Sequence, residues 1–252
     1  MKKCLWVALI IFLWGRPLVS QAPFVVVIDP GHGGRDTGAM GYQGMREKDM
    51  VLILSKMIAR QIQKDLGAKV YFTRSSDQYL TLDQRNQSAI QKGADIFLSI
   101  HLNASKNKDV YGVETYYLDV ATDEASQRLA MIENRAGRVK YDTTEAVLSA
   151  MIQQASTVAS RDLAHAIQDR LLKRLNNKMP ESDIKNLKVK TALFQVLVGT
   201  KCPGVLLELG FITNKKEAKL LRTQSYQTQI AVGIADGLRF YRNLIDRPRT
   251  NL

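Results

Sequence analysis

Three short, almost entirely apolar runs constrain the fold of this chain more than any other feature. The runs are rich in β-branched residues and short, so they are typical of strands buried on both faces of a parallel sheet. They are Phe24–Ile28, Asp95–Ile100 and Val205–Leu209. Segments with the helical spacing of apolar residues lie between them. This alternation predicts an α/β fold of three layers around a mainly parallel central sheet.

The remaining segments extend this pattern over the rest of the chain. Further strands are predicted at Lys69–Thr73, Val113–Leu118 and Leu193–Val198, of which Val113–Leu118 alternates like an edge strand. Helices are predicted at Glu47–Leu66, Leu82–Lys92, about Val158–Asn176, Lys215–Leu221 and Tyr226–Arg242. A glycine-rich loop at Asp29–Gly44 and a polar loop at Asn177–Lys188 are also predicted. No internal repeat is visible.

The first 22 residues have the organisation of a secretory signal peptide. A basic Met1-Lys2-Lys3 precedes the apolar run Leu5–Trp14, and small residues occupy Ser20 and Ala22. The alternative is an uncleaved anchor, because the apolar run is short for a membrane span. We therefore expect export to the periplasm of a bacterium, a catalytic domain at 23–245 and a tail at 246–252. Only Cys202 would remain after cleavage, so no internal disulfide is expected.

The net charge of the chain favours an anionic partner. It is +12, and removal of the signal takes away three basic residues and no acidic ones, which leaves +9. Export and the lack of a recognisable nucleic-acid-binding motif argue against nucleic acid. An anionic polymer of the cell envelope fits better, although the excess charge is also compatible with a role in solubility alone. No later segment is long and apolar enough to span a membrane.

Four residues carry the chemistry that the sequence predicts. The imidazoles of His32 and His101 with one carboxylate suit Zn²⁺ and leave one position for water, and a second carboxylate off the metal can take a proton from that water. The segments Gly44–Asp49 and Val205–Phe211 carry the candidate carboxylates. Ligands of such sheets bind at the carboxyl ends of strands, where His32, His101 and Glu208 fall. Each residue alone has a structural alternative. His32 could be an ordinary loop residue and His101 a capped strand end. Glu47 could be an ordinary acid at a helix N-terminus, and Glu208 could pair with a buried arginine.

The motifs taken together resemble the zinc-dependent N-acetylmuramoyl-L-alanine amidases, the family of division-associated cell-wall amidases. They are Ile28–Gly34, Arg46–Asp49, Thr73-Arg74, Ala94–Ala104, Gly112–Tyr117 and Leu207–Asn214. The resemblance implies that His32, Glu47 and His101 hold one zinc per chain and that Glu208 is the catalytic carboxylate. It also implies cleavage of peptidoglycan between the N-acetylmuramoyl residue and L-alanine, in wall remodelling and daughter-cell separation. The sequence leaves the oligomeric state open, and a monomer is the default expectation.

A polar, helical segment at 122–157 is too long for an ordinary connection and is interpreted as an insertion. In division-associated relatives a helix at this place carries a Glu-Asn pair like Glu133-Asn134, and its glutamate blocks the zinc. The resemblance therefore implies that Glu133 is an autoinhibitory ligand, released by a LytM-type activator. The alternative is a solvated helical acid. The remainder of the insertion, Lys140–Ala155, diverges more from the relatives.

A second chemistry is that of penicillin-sensitive serine carboxypeptidases, whose motifs include Ser-x-x-Lys. Ser105 with Lys108 and Ser182 with Lys185 fit this pattern, and Lys190-Thr191-Ala192 resembles the third motif without its glycine. Such short patterns arise easily in a lysine-rich chain, so a turn and a loop are the favoured interpretation. A wall-binding module with a degenerate site is a further alternative. His165 and Cys202 are interpreted as packing or surface residues.

Overall fold

The computed structural model describes residues 23–121, 123–136 and 154–246. The predicted signal peptide, residues 137–153 of the insertion and the tail beyond Asp246 lie outside the described residues. No helix in the described part of the chain is long and apolar enough to cross a membrane.

Six strands and six helices of two turns or more form the described fold, joined by short 3₁₀ segments. The strands are β1 Val25–Pro30, β2 Lys69–Phe72, β3 Ile96–Asn103, β4 Val113–Leu118, β5 Asn186–Ala192 and β6 Gly204–Phe211. The helices are α1 Glu47–Leu66, α2 Leu82–Gln91, α3 Glu124–Glu133, α4 Gln154–Lys178, α5 Lys215–Leu221 and α6 Gln224–Ile245.

The strands form one sheet in the order β2-β1-β3-β6-β4-β5. Strands β2, β1, β3 and β6 are parallel, β4 pairs antiparallel with β6, and β5 pairs parallel with β4. Alternate residues of each strand enter two apolar clusters, which is why the buried runs are apolar throughout. The larger cluster packs α1, α4 and α6 on one face, and the smaller contains residues of α2 and α3. The α/β fold with a mostly parallel sheet is therefore confirmed.

The predicted strand at Leu193–Val198 is wrong, because strand β5 ends at Ala192 and Gln195–Leu197 forms a 3₁₀ turn. The apolar residues of that turn, including Phe194 and Val196, cover the sheet from the side of α2 instead of pairing within it. Strand β5 overlaps the predicted polar loop because its exposed positions, Asn186 and Lys188, are polar, a common composition for an edge strand.

The predicted edge position of Val113–Leu118 is also wrong. Strand β4 lies between β6 and β5, and the two edge strands are β2 and β5. Five of its six residues are buried, so its alternation reflects two different packing surfaces and not a solvent-facing side.

The described part of the insertion is helical and is held to the segment that follows β5. Asp123 caps α3 by accepting a hydrogen bond from the backbone N–H of Ser126. At the other end, the side chain of Asn134 donates to the Leu193 carbonyl and accepts from the Gln195 N–H, each at 2.8 Å. These contacts place the C-terminal end of α3 over the face of the sheet that carries α2.

Candidate metal centre

The turn after β1 holds His32 in a constrained conformation. His32 has a φ of 55°, a region that residues other than glycine rarely adopt. Gly31 has no room for a side chain, because a Cβ would lie 2.5 Å from the ring of His101. The carbonyls of this turn are held by two guanidinium groups: Arg74 donates to those of Pro30 and Gly31, and Arg85 donates to those of Pro30 and His32. These hydrogen bonds hold the backbone that carries the imidazole of His32 in place.

A buried ion pair supports this turn. Asp29 is 1% exposed and accepts hydrogen bonds from Arg85 Nη1, Thr73 Oγ1 and Ser99 Oγ. Burial alone would raise the pKa of Asp29, but the charge of Arg85 and these donors lower it below its usual value. No role for Asp29 was predicted from the sequence. An isolated acid in an otherwise apolar strand was the available signal that it has a buried partner.

Glu47 is the first residue of α1 and is held by both of its oxygens. Oε2 accepts from the Ala39 N–H at 2.9 Å, and Oε1 accepts from the Leu102 N–H at 3.0 Å. Oε1 also lies 3.1 Å from His32 Nε2 and 3.1 Å from His101 Nδ1. The structure therefore brings these three predicted ligands together from the start of a helix, a loop and a buried strand.

Glu133 joins the same cluster. Its Oε2 lies 3.4 Å from His32 Nε2 and 3.3 Å from His101 Nδ1. The ligand atoms of His32, His101 and Glu133 all lie within 4.8 Å of one another, and the two rings meet edge to face with centroids 4.9 Å apart. The end of α3 thus projects a carboxylate between the two imidazoles.

The chemistry of this donor set fits Zn²⁺. It offers imidazole nitrogens and carboxylate oxygens, the ligands that zinc takes in catalytic sites. His32 Nε2 is buried, and although Glu47 Oε1 lies 3.1 Å away, the nitrogen forms no hydrogen bond of acceptable geometry among the described residues. The other ring nitrogen, Nδ1, lies 3.0 Å from Asp36 Oδ2, which favours the tautomer with a free lone pair on Nε2. Asp36 is a supporting residue that the sequence analysis missed.

The electrostatics of the cluster favour a cation. Burial alone would lower the pKa of His32, but the charge of Glu47 and the hydrogen bond with Asp36 raise it well above its usual value. Burial opposes ionisation of Glu47 as well, yet the two imidazoles hold its pKa below the usual range. An excess of negative charge therefore surrounds the imidazole nitrogens, and it attracts either protons or a metal ion.

Glu208 lies on β6, in register with His101 of β3 and with Glu114 of β4. It is 1% exposed, and its Oε2 has no hydrogen-bond partner in the described part of the chain. Burial raises the pKa of Glu208 well above its usual value, and the charges of Glu47 and Glu133 add to the rise. No ion pair joins Glu208 to an arginine among the described residues: Arg85 pairs with Asp29, and Arg74 donates to backbone carbonyls. Glu208 is therefore a buried carboxyl group placed to exchange a proton.

The serine candidates lie apart from this chemistry. Ser105 follows β3 and donates its backbone N–H to Thr213 Oγ1. Ser182 is buried in a 3₁₀ turn, whereas Lys185 is exposed. No hydrogen bond joins a hydroxyl of these serines to a lysine amine among the residues described. Cys202 is buried as a free thiol, and His165 is exposed on α4.

Fold and donor set together define the class: an α/β protein with a hydrolase-type site of two imidazoles and several carboxylates at the carboxyl edge of its sheet. The profile of the family described as N-acetylmuramoyl-L-alanine amidase matches residues 26–239. The chain is 34% identical to AmiA of Escherichia coli (strain K12) over 236 residues, which cover 90% of this chain and 79% of AmiA. It is 33% identical to AmiC of E. coli O6:H1, where the match covers 87% of this chain and 53% of AmiC.

Solved structures give the same result. The amidase AmiC2 of Nostoc punctiforme superposes with a TM-score of 0.65 at 30% identity, covering 87% of this chain and 97% of that structure. The chain belongs to the N-acetylmuramoyl-L-alanine amidase family. The resemblance predicted from the sequence motifs is confirmed.

Proposed function

We propose that this chain is a zinc-dependent hydrolase of peptidoglycan. It cleaves the amide bond between the N-acetylmuramoyl residue and the L-alanine of the stem peptide, in wall remodelling and daughter-cell separation. Family membership supports the reaction and the substrate. The observation that carries the proposal is the convergence of His32 Nε2, His101 Nδ1 and Glu47 Oε1, with Glu208 on the adjacent strand.

In this proposal His32, Glu47 and His101 hold the metal. Zinc, when bound, acts as a Lewis acid and brings the pKa of water close to neutrality. Glu208 accepts a proton at its free Oε2 and returns it to the leaving amine. Asp36 keeps Nε2 of His32 turned into the site, and the backbone N–H groups of Ala39 and Leu102 hold both oxygens of Glu47.

The roles are separable by experiment. Glu208→Ala should keep about one zinc per chain and lose turnover by about 10²- to 10⁴-fold, the usual value of general acid–base catalysis. Glu124→Ala, an exposed acid, is the control. Zinc is measured by elemental analysis, and muropeptide digests are resolved by mass with and without a chelator. Near-normal activity of Glu208→Ala would refute its role, and digestion indifferent to the chelator would refute the metal.

We propose in addition that α3 is an autoinhibitory lid. A groove of about 470 Å³ runs beside the cluster, and its lining includes Leu129, Ile132 and Glu133 of α3 as well as His32 and Glu47. Because Glu133 lies between the imidazoles, substrate can reach them only after α3 has moved. A LytM-type activator would stabilise the displaced helix.

The lid has a matched pair of variants on one helix. Glu133→Gln removes the charged contact with the imidazoles, and Glu124→Gln removes only an exposed pair with Arg128. The two Glu133–imidazole contacts, at 3.3 and 3.4 Å, are together taken as worth about one hydrogen bond to a charged group, about 1.5–3 kcal/mol, so Glu133→Gln should raise basal turnover by about 10- to 150-fold with the lid closed in the resting enzyme. Deleting Asp123–Gln154 should also raise it. An unchanged or lower rate in a folded deletion would contradict the lid.

We propose that the domain at 23–245 is exported to the periplasm as a monomer after removal of residues 1–22. The basic start, the apolar run and the small residues before the expected cleavage site support this. Mass measurement of protein recovered from the periplasm should give a mature chain that begins at Pro23. A full-length mass in the membrane fraction would instead indicate an anchor.

A further inference from the structure

A second cavity, of about 700 Å³, lies at the carboxyl edge of the sheet and outside the metal cluster. Its charged lining consists of one acid, Asp109, and four lysines: Lys108, Lys215, Lys216 and Lys219. All four lysines are exposed, and none forms an ion pair with a carboxylate in the described part of the chain. The cavity therefore presents an uncompensated positive charge to solvent.

The wall from the β1–α1 loop connects this cavity to the metal cluster. Ala39 lines the groove at the histidines and donates its N–H to Glu47 Oε2, and the next residue, Met40, lines the lysine cavity. Tyr42 continues this wall and donates its N–H to the carbonyl of Ile212, four residues beyond Glu208. The two cavities are thus neighbours along one short loop.

The opposite walls are continuations of the strands that carry His101 and Glu208. Thr213, after β6, accepts a hydrogen bond at Oγ1 from the N–H of Ser105, after β3. Asn214 ties the two lysine-bearing segments together, because its Nδ2 donates to the Lys108 carbonyl at 2.8 Å and its Oδ1 accepts from the Lys216 N–H at 2.9 Å. The lysines therefore project from a backbone that is held in place.

The lining also has an apolar part. Met40 is 56% exposed, which is high for a methionine, and the ring of Tyr42 lies 5.9 Å from the ammonium of Lys215. Amines combined with an exposed thioether and an aromatic ring suit a ligand with carboxylates on a partly apolar chain. An acidic peptide has this chemistry, whereas a phosphate polymer offers charge with little apolar surface.

We propose that this cavity binds the carboxylates of the stem peptide on the far side of the scissile amide. The inference rests on the proposed function, since it places the scissile bond at the histidines. An extended peptide advances by about 3.4 Å per residue, so carboxylates further along the stem leave the metal cluster and reach a neighbouring cavity.

Binding of a released stem tests the cavity without turnover. The probe is the γ-linked tetrapeptide L-Ala-D-Glu-L-Lys-D-Ala, in free-acid form and with both carboxylates converted to amides, titrated into the full mature chain by calorimetry. Lys215→Gln/Lys219→Gln should weaken binding of the free acid about threefold to tenfold, as expected for the loss of two solvent-exposed ion pairs, and leave the diamide unchanged. The free acid should bind more tightly than the diamide to the wild type.

The matched control removes the same charge elsewhere. Lys173→Gln/Lys178→Gln alters a separate basic cavity between α4 and α6 and should not change binding of the peptide. Equal weakening by both double variants would show that net charge alone attracts the peptide and would overturn the proposal. The same conclusion follows if wild type does not distinguish acid from diamide, or if a glycerol-phosphate polymer binds the cavity more tightly than the peptide.

Turnover of muropeptides separates this inference from the proposed function. The lysine double variant should raise KM for free-acid muropeptides by the same threefold to tenfold and change kcat by less than about twofold. If the peptide binds in a lysine-dependent way but the chain cleaves no muropeptide, the proposed function is contradicted and the peptide-binding role of the cavity is retained. If the chain cleaves muropeptides with a KM that does not depend on these lysines, the peptide-binding role of the cavity is contradicted and the proposed amidase function is retained.

Discussion

Replacing Arg85 by leucine tests the support under His32. Arg85 is 3% exposed on α2, and its guanidinium donates to Asp29 Oδ1 at 2.7 Å, to the Pro30 carbonyl at 2.8 Å and to the His32 carbonyl at 2.7 Å. Leucine fills part of the same volume but donates no hydrogen bond. The variant therefore leaves a buried carboxylate without its counter-ion and removes a donor from the turn that carries the imidazole.

The cost follows from the burial of both partners. Removing one member of a buried ion pair destabilises a protein by about 3–5 kcal/mol. Thr73 and Ser99 still donate to Asp29, so we expect about 3 kcal/mol, at the lower end of this range. For a chain of this size that corresponds to a fall in Tm of about 6–12 °C. It is also a large part of the usual stability of about 5–15 kcal/mol.

The expected pH dependence has a definite sign. The folded-state pKa of Asp29 is lowered in the wild type, so its stabilisation is present above the ordinary pKa of an aspartate and is lost as the pH falls through the folded value. Without Arg85 the buried carboxylate loses its main stabilising charge and titrates at higher pH. The cost of Arg85→Leu should therefore be large at neutral pH and shrink toward acidic pH, where Asp29 is protonated.

Urea unfolding followed by far-ultraviolet circular dichroism measures this cost. Tryptophan fluorescence is unsuitable for the mature chain, since Trp6 and Trp14 both lie within the first 22 residues. A chelator keeps metal binding from contributing to the apparent stability. The cycle compares Arg85→Leu, Asp29→Asn and the double variant, with the exposed Arg60→Leu as the control.

The double variant should cost less than the sum of the single variants by at least about 1.5 kcal/mol, because removing the charge of Asp29 relieves the unpaired carboxylate. Arg60→Leu should change the stability by less than about 0.5 kcal/mol. The reasoning is refuted if Arg85→Leu costs under about 1 kcal/mol, or if Asp29→Asn gives no relief in its background.

Two further predictions concern close packing and a second buried acid. Gly31→Ala should displace the ring of His101 and weaken zinc binding by about 10- to 100-fold in a competition assay with a chromophoric chelator. Gly204→Ala is the control and should leave zinc binding unchanged, because its Cβ would meet its nearest neighbours at 3.5 Å. Equal zinc affinities of the two variants would contradict the packing argument. Burial raises the pKa of Glu217 to about 7 although the N–H groups of Gly112 and Phe211 donate to its carboxylate. The wild type should therefore lose up to about 3 kcal/mol of stability as the pH rises from about 4.5 to 7. Denaturation across this range should show a flatter dependence of stability on pH for Glu217→Gln, and a dependence equal to that of the wild type would contradict the shift.

The sequence was sufficient for the parts of the fold in which one local pattern has one structural solution. The helices at 47–66 and 215–221 begin and end as predicted, and the three apolar runs became β1, β3 and β6 with ends shifted by a few residues. Strand β5 was missed because a lysine-bearing edge strand and a polar loop have similar compositions. The order of strands, and hence the inner position of β4, depends on long-range pairing that periodicity does not encode.

The candidate site was likewise predicted only in part. His32, Glu47, His101 and Glu208 were predicted because imidazoles and carboxylates near strand ends or at a helix start are informative residue types, and the structure brings all four into one region. The supporting residues were not found. The partners of Asp29 are 44, 56 and 70 residues away in the chain, so local spacing could not predict that Thr73, Arg85 and Ser99 meet it.

In the proposed autoinhibition, the charge of the cluster would link the lid formed by α3 to the binding of substrate. Ionised Glu47, Glu133 and Glu208 would together place three negative charges near the imidazoles, and a divalent cation leaves one of them unbalanced. Glu133 raises the pKa of Glu208, so the two acids oppose each other while the lid is closed. Displacing α3 removes Glu133 and makes the remaining set of Glu47, Glu208 and a divalent cation neutral. Opening of the proposed lid would therefore remove a charge that repels an acidic stem peptide. It would also lower the pKa of Glu208, the proposed proton acceptor. An activator that moved the helix without withdrawing Glu133 from the imidazoles would achieve neither effect.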